Sequence, residues 1–237
     1  MTSFFTPRGP LILPQFSLES YRFALYWAPR AITNSFLLSA LAAVLIMIFA
    51  VLLGYALVRR RSPVTAVLDG AMMLPYAIPG TVLAVGLILA FNKPPLILTG
   101  TWMILVIAYF IRRLPYGIRA CIAGMQQVDS NLEDASVNLG VSPARTFLVI
   151  VLPLILPAVV AGAVLSWVTV IRELSATVIL YYGPWSTMTV NILTQVTSGS
   201  YGLASSLASI LILSVFIPTY LINRYVKGAS GRSPIQM

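Results

Sequence analysis

Apolar residues run almost unbroken through 31–58, 67–91, 150–171 and 203–222, and through a shorter fifth stretch, 96–111, that extends to residue 113. About 20 apolar residues in a helix cross the roughly 30 Å hydrocarbon core of a bilayer. The four long runs have that length, and the fifth reaches it as a helix protruding from the membrane past Arg112 and Arg113. The pattern predicts an all-α, polytopic transmembrane helical bundle of about five spans. Ahead of the first run, residues 1–30 read as an outer-face segment. Within it, 15–27 (QFSLESYRFALYW) is too short to cross and predicts a helix lying at the interface, where Tyr and Trp rings favour the headgroup level. No repeat of 20 to 50 residues is visible, so 31–227 reads as one transmembrane domain and 228–237 as a tail.

Composition strengthens the membrane reading. The chain is 59% hydrophobic and 9% charged, against about 25% charged in a soluble domain. Lys and Arg number 15 against 6 acidic residues. Most fall in short clusters between apolar runs, which points to orientation in a membrane and not to nucleic acid. Arg59-Arg60-Arg61, Arg112-Arg113 with Arg119, Arg145, and Arg224 with Lys227 and Arg232 all lie on one side of the predicted spans. The positive-inside rule makes that side cytoplasmic, with the N-terminus outside and the C-terminus inside. An outside N-terminus with no span before it points to a further first helix or a fusion partner. The first apolar run is too long for a signal h-region of roughly 7 to 15 residues, so it is expected to stay as a span. Asp69 is expected to pair with one of the arginines at 59–61. One cysteine and no histidine exclude an intrachain disulfide and disfavour metal and acid–base chemistry.

The one long polar stretch, 126–146, reads QQVDSNLEDASVNLGVSPART and holds Asp129, Glu133 and Asp134. Charges at lipid-facing positions cost several kcal/mol each, so this segment belongs in cytoplasm or against another protein. Asp129 or Ser130 would cap a first short helix, Gly140 would end it in a left-handed conformation, and Ser142-Pro143 would start a second. Its residues resemble the cytoplasmic signature of binding-protein-dependent ABC importer permeases of the MetI-like group: Glu-Ala-Ala, three residues, Gly, nine residues, Ile, one residue, Leu-Pro. Here Asp134, Ala135 and Ser136 are followed at that spacing by Gly140, Ile150, Leu152 and Pro153. Asp134 stands where Glu is usual, with Glu133 beside it, and Ser136 stands where Ala is usual. The plainer alternative is a capped loop joining two membrane helices.

The resemblance implies that 126–146 forms a coupling helix that docks in a cytoplasmic ATPase. It implies two copies of that ATP-binding subunit, a second permease domain (identical, different or fused), an extracytoplasmic solute-binding protein, and a place in the bacterial inner membrane. The chain has no G-x-x-x-x-G-K-[ST] loop, so ATP is expected to be used by the partner, with no cofactor or metal held here. Arg112-Arg113-Leu114-Pro115-Tyr116 and Arg172-Glu173-Leu174-Ser175-Ala176 look most like the ferric-iron uptake group, with phosphonate, thiamine, sulfate and polyamine permeases sharing much of the pattern.

Two further features are candidate pathway. Pro75, Tyr76, Pro79 and Gly80 interrupt the second run, and freed backbone groups at membrane depth are tolerated only against protein or a watery cavity, so this segment is expected to face the bundle interior. A structural kink without ligand contact is the alternative. Arg172, Glu173, Ser175 and Tyr181 follow the fourth run and would line an outer gate, or simply pair and snorkel. An ion-gradient transporter would show acidic residues at midplanes and paired broken helices, and a membrane enzyme would need a catalytic cluster. The sequence shows one strongly broken run and no such cluster.

Overall fold

The computed structural model describes residues 2–8, 11–59 and 62–230. Arg60, Arg61 and Arg232, counted above for orientation, lie outside the described residues. The chain opens with a short hairpin, β1 (Phe5–Arg8) against β2 (Leu11–Phe16), antiparallel. Helices follow throughout: α1 (Glu19–Trp27), α2 (Pro29–Arg59), α3 (Pro63–Ala71), α4 (Leu74–Ala77), α5 (Gly80–Phe91), α6 (Trp102–Met125), α7 (Asn131–Asn138), α8 (Pro143–Thr146), α9 (Leu152–Ile171), α10 (Thr177–Leu180), α11 (Met188–Thr197) and α12 (Tyr201–Ser230).

Among the described residues, three helices are long and apolar enough to cross a membrane: α2, the continuous run Pro143–Ile171, and Tyr201–Ile222 within α12. A fourth crossing exists if α3–α4 and α5 count as one broken span, bent by 104°. The bend follows from Pro79. Its ring drives the preceding Ile78 into extended backbone (φ −77°, ψ 129°) and removes a helical donor, so the predicted kink at 75–80 becomes a full break. The predicted run 96–113 is shifted. Residues 92–101 are not helical, with Gly100 at φ 81°, and α6 then runs 24 residues straight through Pro115. Every 18-residue stretch of α6 carries Arg112, Arg113 and Arg119, which sets it apart from the apolar spans.

The core is α2, α6 and α9. Gly117 of α6 faces Ile46 and Ala50 of α2, Gly124 faces Ala158 of α9, and Gly162 of α9 faces Ala120. Small residues let these backbones approach closely, which is how membrane helices gain van der Waals contact when lipid offers no hydrophobic drive. Gly54 lies against Cys121, which is fully buried. Matching levels (Ser35 with Tyr109, Ile46 with Gly117, Gly54 with Cys121) make α2 and α6 parallel, with α9 antiparallel to both. A second cluster, Ala24, Ala28, Ala31 and Leu207, packs α1 and the start of α2 on α12.

Between α8 and α9 the helix widens into a π turn over Phe147–Val151, where the Leu152 N–H donates to the Phe147 carbonyl. Pro153 follows in the first turn of α9, and the widened turn takes up the backbone disruption its ring imposes. The fourth predicted run, 150–171, thus begins seven residues earlier, at Pro143.

Candidate functional site

Two constellations stand out, one at each end of α9. At the Arg59 end of the bundle, α7 crosses below α2. Glu133 on its first turn accepts from Arg59 Nε at 2.7 Å and from Tyr55 Oη at 3.0 Å. Arg59 Nη2 also reaches the Val128 carbonyl at 3.3 Å. Ser136 is buried and shares a 2.9 Å hydrogen bond with Thr146 of α8. Asp129 Oδ1 accepts from the Asn131 N–H at 2.9 Å, and Ser130 at the N-cap makes no side-chain cap bond, so of the two expected caps Asp129 does the work. Gly140 has φ 82° and nothing near its Cα, so the left-handed turn alone calls for glycine there.

With one face fastened, α7 turns the rest outward. Asp134 and Ala135 are exposed, and Leu132, Val137 and Leu139 are exposed apolar residues, Leu139 at 85%. The two adjacent carboxylates therefore have different jobs: Glu133 braces, Asp134 is free to meet another surface. Ile150 and Leu152 are half-buried and Pro153 is exposed on the helix above.

At the other end of α9 the structure corrects two expectations. Arg172 does not pair with Glu173; it is exposed, and its Nε donates to the Val168 carbonyl at 3.1 Å. Arg112 and Arg113 do not mark the end of a span. They sit halfway along α6, about 15 Å from Trp102 at 1.5 Å per residue, and both reach Glu173 Oε2, Arg113 Nη2 at 2.5 Å and Arg112 Nε at 3.4 Å. Asp69 pairs with Arg119 at 3.2 Å; of the cluster at 59–61 only Arg59 is among the described residues, and it pairs with Glu133. The length of α6 carries Arg112 and Arg113 inward to a carboxylate that sequence separation hides.

Glu173 is held by more than charge. Its carboxylate accepts from the Ala176 N–H at 3.4 Å, and its carbonyl accepts from Thr177 Oγ1 at 2.7 Å and Thr189 Oγ1 at 3.1 Å. Thr177 Oγ1 in turn lies 2.8 Å from Tyr109 Oη, within the core. Nearby, Asn34 of α2 donates to the carbonyls of Pro184 and Ser186, and Ser35 Oγ accepts from the Met188 N–H at 2.7 Å, starting α11.

The Pro79–Gly80 break lies directly on this cluster. A Cβ at Gly80 would collide with Arg112 Nη1 and stand 2.8 Å from Ser175 Cβ. Of the four residues expected to face the interior, only Gly80 is buried; Pro75 is half-buried, and Tyr76 and Pro79 are exposed on the single chain because the break turns them out. Tyr76 meets Tyr116 edge-on, and the Arg113 guanidinium lies 5.8 Å from the Tyr116 ring centre. Ser175 and Tyr181 are exposed. Arg112, Arg113, Tyr109 and Thr177 were absent from the candidate pathway. The available signal was two arginines in an apolar run that then continues in helical periodicity to Met125.

A bundle of apolar crossings with one broken span and a helical polar bracket between α6 and α9 defines a multi-pass membrane protein. The chain belongs to the family of binding-protein-dependent transport system inner membrane components, whose model matches residues 46–229. It is 39% identical over 183 residues to the ferric transport system permease protein FbpB of Actinobacillus pleuropneumoniae, 77% of this chain and 27% of that protein. It is 31% identical over 200 residues to the molybdate/tungstate transport system permease protein WtpB of Thermococcus kodakarensis, 84% of this chain and 78% of that protein. The chain spans only 24% to 38% of the length of three ferric relatives. In fold it resembles a chain of the inward-facing MetNI methionine ABC transporter (14% identity, 86% of this chain, 96% of that one, TM-score 0.70). It also resembles a chain of a bacterial ABC transporter importing the acidic polysaccharide alginate (14%, 89% and 85%, TM-score 0.72).

Proposed function

We propose that this chain is the pathway-forming subunit of an ATP-driven importer and that α7, with the Gly140 turn, couples it to a separate cytoplasmic ATPase. The observation that carries this reading is the two-faced character of α7. Glu133 and Ser136 lock it to the bundle, while Leu132, Asp134, Ala135 and Leu139 remain outward. A rigidly held helix with an exposed apolar and acidic face is suited to transmit force from a partner into α2 and α9. In this reading the Arg59 end is cytoplasmic, two permease domains face each other, two ATP-binding subunits clamp their α7 helices, and an extracytoplasmic solute-binding protein delivers cargo. ATP is bound by the partner.

Ferric iron is the proposed cargo, supported by the names of the relatives at 39% and 40% identity. The test is recovery of partners from native membrane in mild detergent. A soluble ATP-binding protein that co-purifies with the chain, and is lost on Asp134→Lys, is the expected result. A chain that purifies alone and moves solute in liposomes on an ion gradient overturns it.

A further inference from the structure

We propose that Arg112 and Arg113 form an oxyanion-binding site on the solute path, with Glu173 as the intramolecular anion that a cargo oxyanion displaces. Its role in transport rests on the pathway reading above; the binding site itself does not.

The charge count comes first. Two guanidinium groups share one carboxylate oxygen, Glu173 Oε2, so the cluster carries one net positive charge inside an apolar bundle. A charge at this depth is costly unless matched. A bare metal cation would deepen the imbalance, whereas an anion would remove it.

Unmet hydrogen bonds point the same way. Arg112 Nη1 and Arg113 Nε are shielded from solvent and have no acceptor among the described residues. Guanidinium donors favour acceptors in a planar fork, which carboxylates, phosphates and related oxyanions supply. Glu173 offers two oxygens, one already turned to the Ala176 N–H. A ligand with three or four oxygens would meet donors that one carboxylate leaves open.

Geometry provides the way in. Glycine at 80 leaves free the space that Arg112 Nη1 takes at the break, and the side chains of Arg112 and Arg113 retain 17% and 15% exposure against 3% for Glu173. The arginines thus lie between the buried carboxylate and the surface where Ser175 and Tyr76 are exposed. An anion arriving past Ser175 meets the guanidinium groups first. A free oxyanion and a metal ion carried within an oxyanion ligand present the same chemistry to this site.

The test is ligand titration of the full chain in nanodiscs, without any ATPase, using molybdate, inorganic phosphate, ferric citrate and, as a bare cation, Mn2+. At least one oxyanion-bearing probe is expected to bind. Glu173→Gln should tighten that binding about tenfold by removing the competing carboxylate, and Arg112→Gln should weaken it by about tenfold or more, since a charge-assisted hydrogen bond is worth about that factor. Molybdate or phosphate binding identifies a free oxyanion, and ferric citrate alone identifies a metal carried with its ligand. Weaker oxyanion binding in Glu173→Gln, Mn2+ binding that depends on Glu173, or no oxyanion binding in either protein overturns the proposal. If Glu173→Gln loses its monodisperse size-exclusion peak, the wild type alone decides: oxyanion binding supports the site and its absence overturns it. With no ATPase present, failure here leaves the coupling reading intact, and a failed partner recovery leaves anion binding intact.

Discussion

Arg59 and Glu133, 74 positions apart, join the last turn of the first span to the first turn of α7 through a hydrogen bond of 2.7 Å. Both side chains are mostly buried, at 20% and 12% exposure, so the pair is a structural brace, and Asp134 beside it is left exposed. Glu133→Gln is expected to cost about 2 kcal/mol of stability, the scale of a hydrogen bond between charged groups, and to loosen α7. Asp134→Asn should leave stability within about 0.5 kcal/mol, as for surface substitutions, yet weaken ATPase capture. Thermal unfolding in detergent alongside partner recovery separates the two, and equal loss of stability in both variants would contradict the division of roles.

At Gly140 the requirement is backbone, since no neighbour crowds the position. A β-branched residue there is strained by about 1–2 kcal/mol. Gly140→Val should therefore impair partner recovery or coupled transport, while Gly140→Asn, which tolerates the left-handed region, should retain most of it. Equal behaviour of the two variants would mean that the turn is not what matters.

Close approach of α6 and α9 depends on Gly124, where an added Cβ would lie 2.6 Å from Ala158 Cβ. Gly124→Ala is expected to destabilise the purified chain by about 1–3 kcal/mol through overpacking. Gly86→Ala in α5, with open space around it, should be neutral or stabilising by up to about 1 kcal/mol. Unfolding midpoints of the pair check this contrast, and a harmless Gly124→Ala would show the helices to be more loosely held.

Tyr109→Phe removes the buried hydroxyl contact with Thr177 while keeping the ring. The expected loss is about 1 kcal/mol, seen as a lowered unfolding temperature, with oxyanion binding in nanodiscs kept because the Tyr109 hydroxyl bonds to Thr177 and not to either arginine. Abolished binding would place Tyr109 in the site itself.

Hydropathy made the long helices legible: lipid demands about 20 apolar residues in each crossing, and 31–58 and 203–222 fall inside α2 and α12. The proline pair at 75 and 79 marked the interruption, though its 104° angle depends on packing against α6 that spacing does not encode. The bracket at 126–146 was readable in its caps and its glycine, because those are local preferences. The charge cluster was not. Sequence reveals that Arg112 and Arg113 are charged but not their depth, and a rule that assigns arginines to span ends misplaces any arginine with a buried partner 60 residues away. Short α10 and α11 were also missed. Their Thr and Asn side chains bond to nearby backbone or, for Thr177, to Tyr109 of α6, and neither element is long enough to show as an apolar run.

The burial of Cys121 under Gly54 has a practical consequence. It is the chain's single thiol, and buried cysteines react poorly with solvent-borne reagents. The native chain is thus ready for single-site labelling: a cysteine introduced at Leu139 or Tyr76 would carry a spin label or fluorophore alone. Distances between paired labels would then report, in the assembly proposed above, how far α7 travels when the proposed pathway changes its opening.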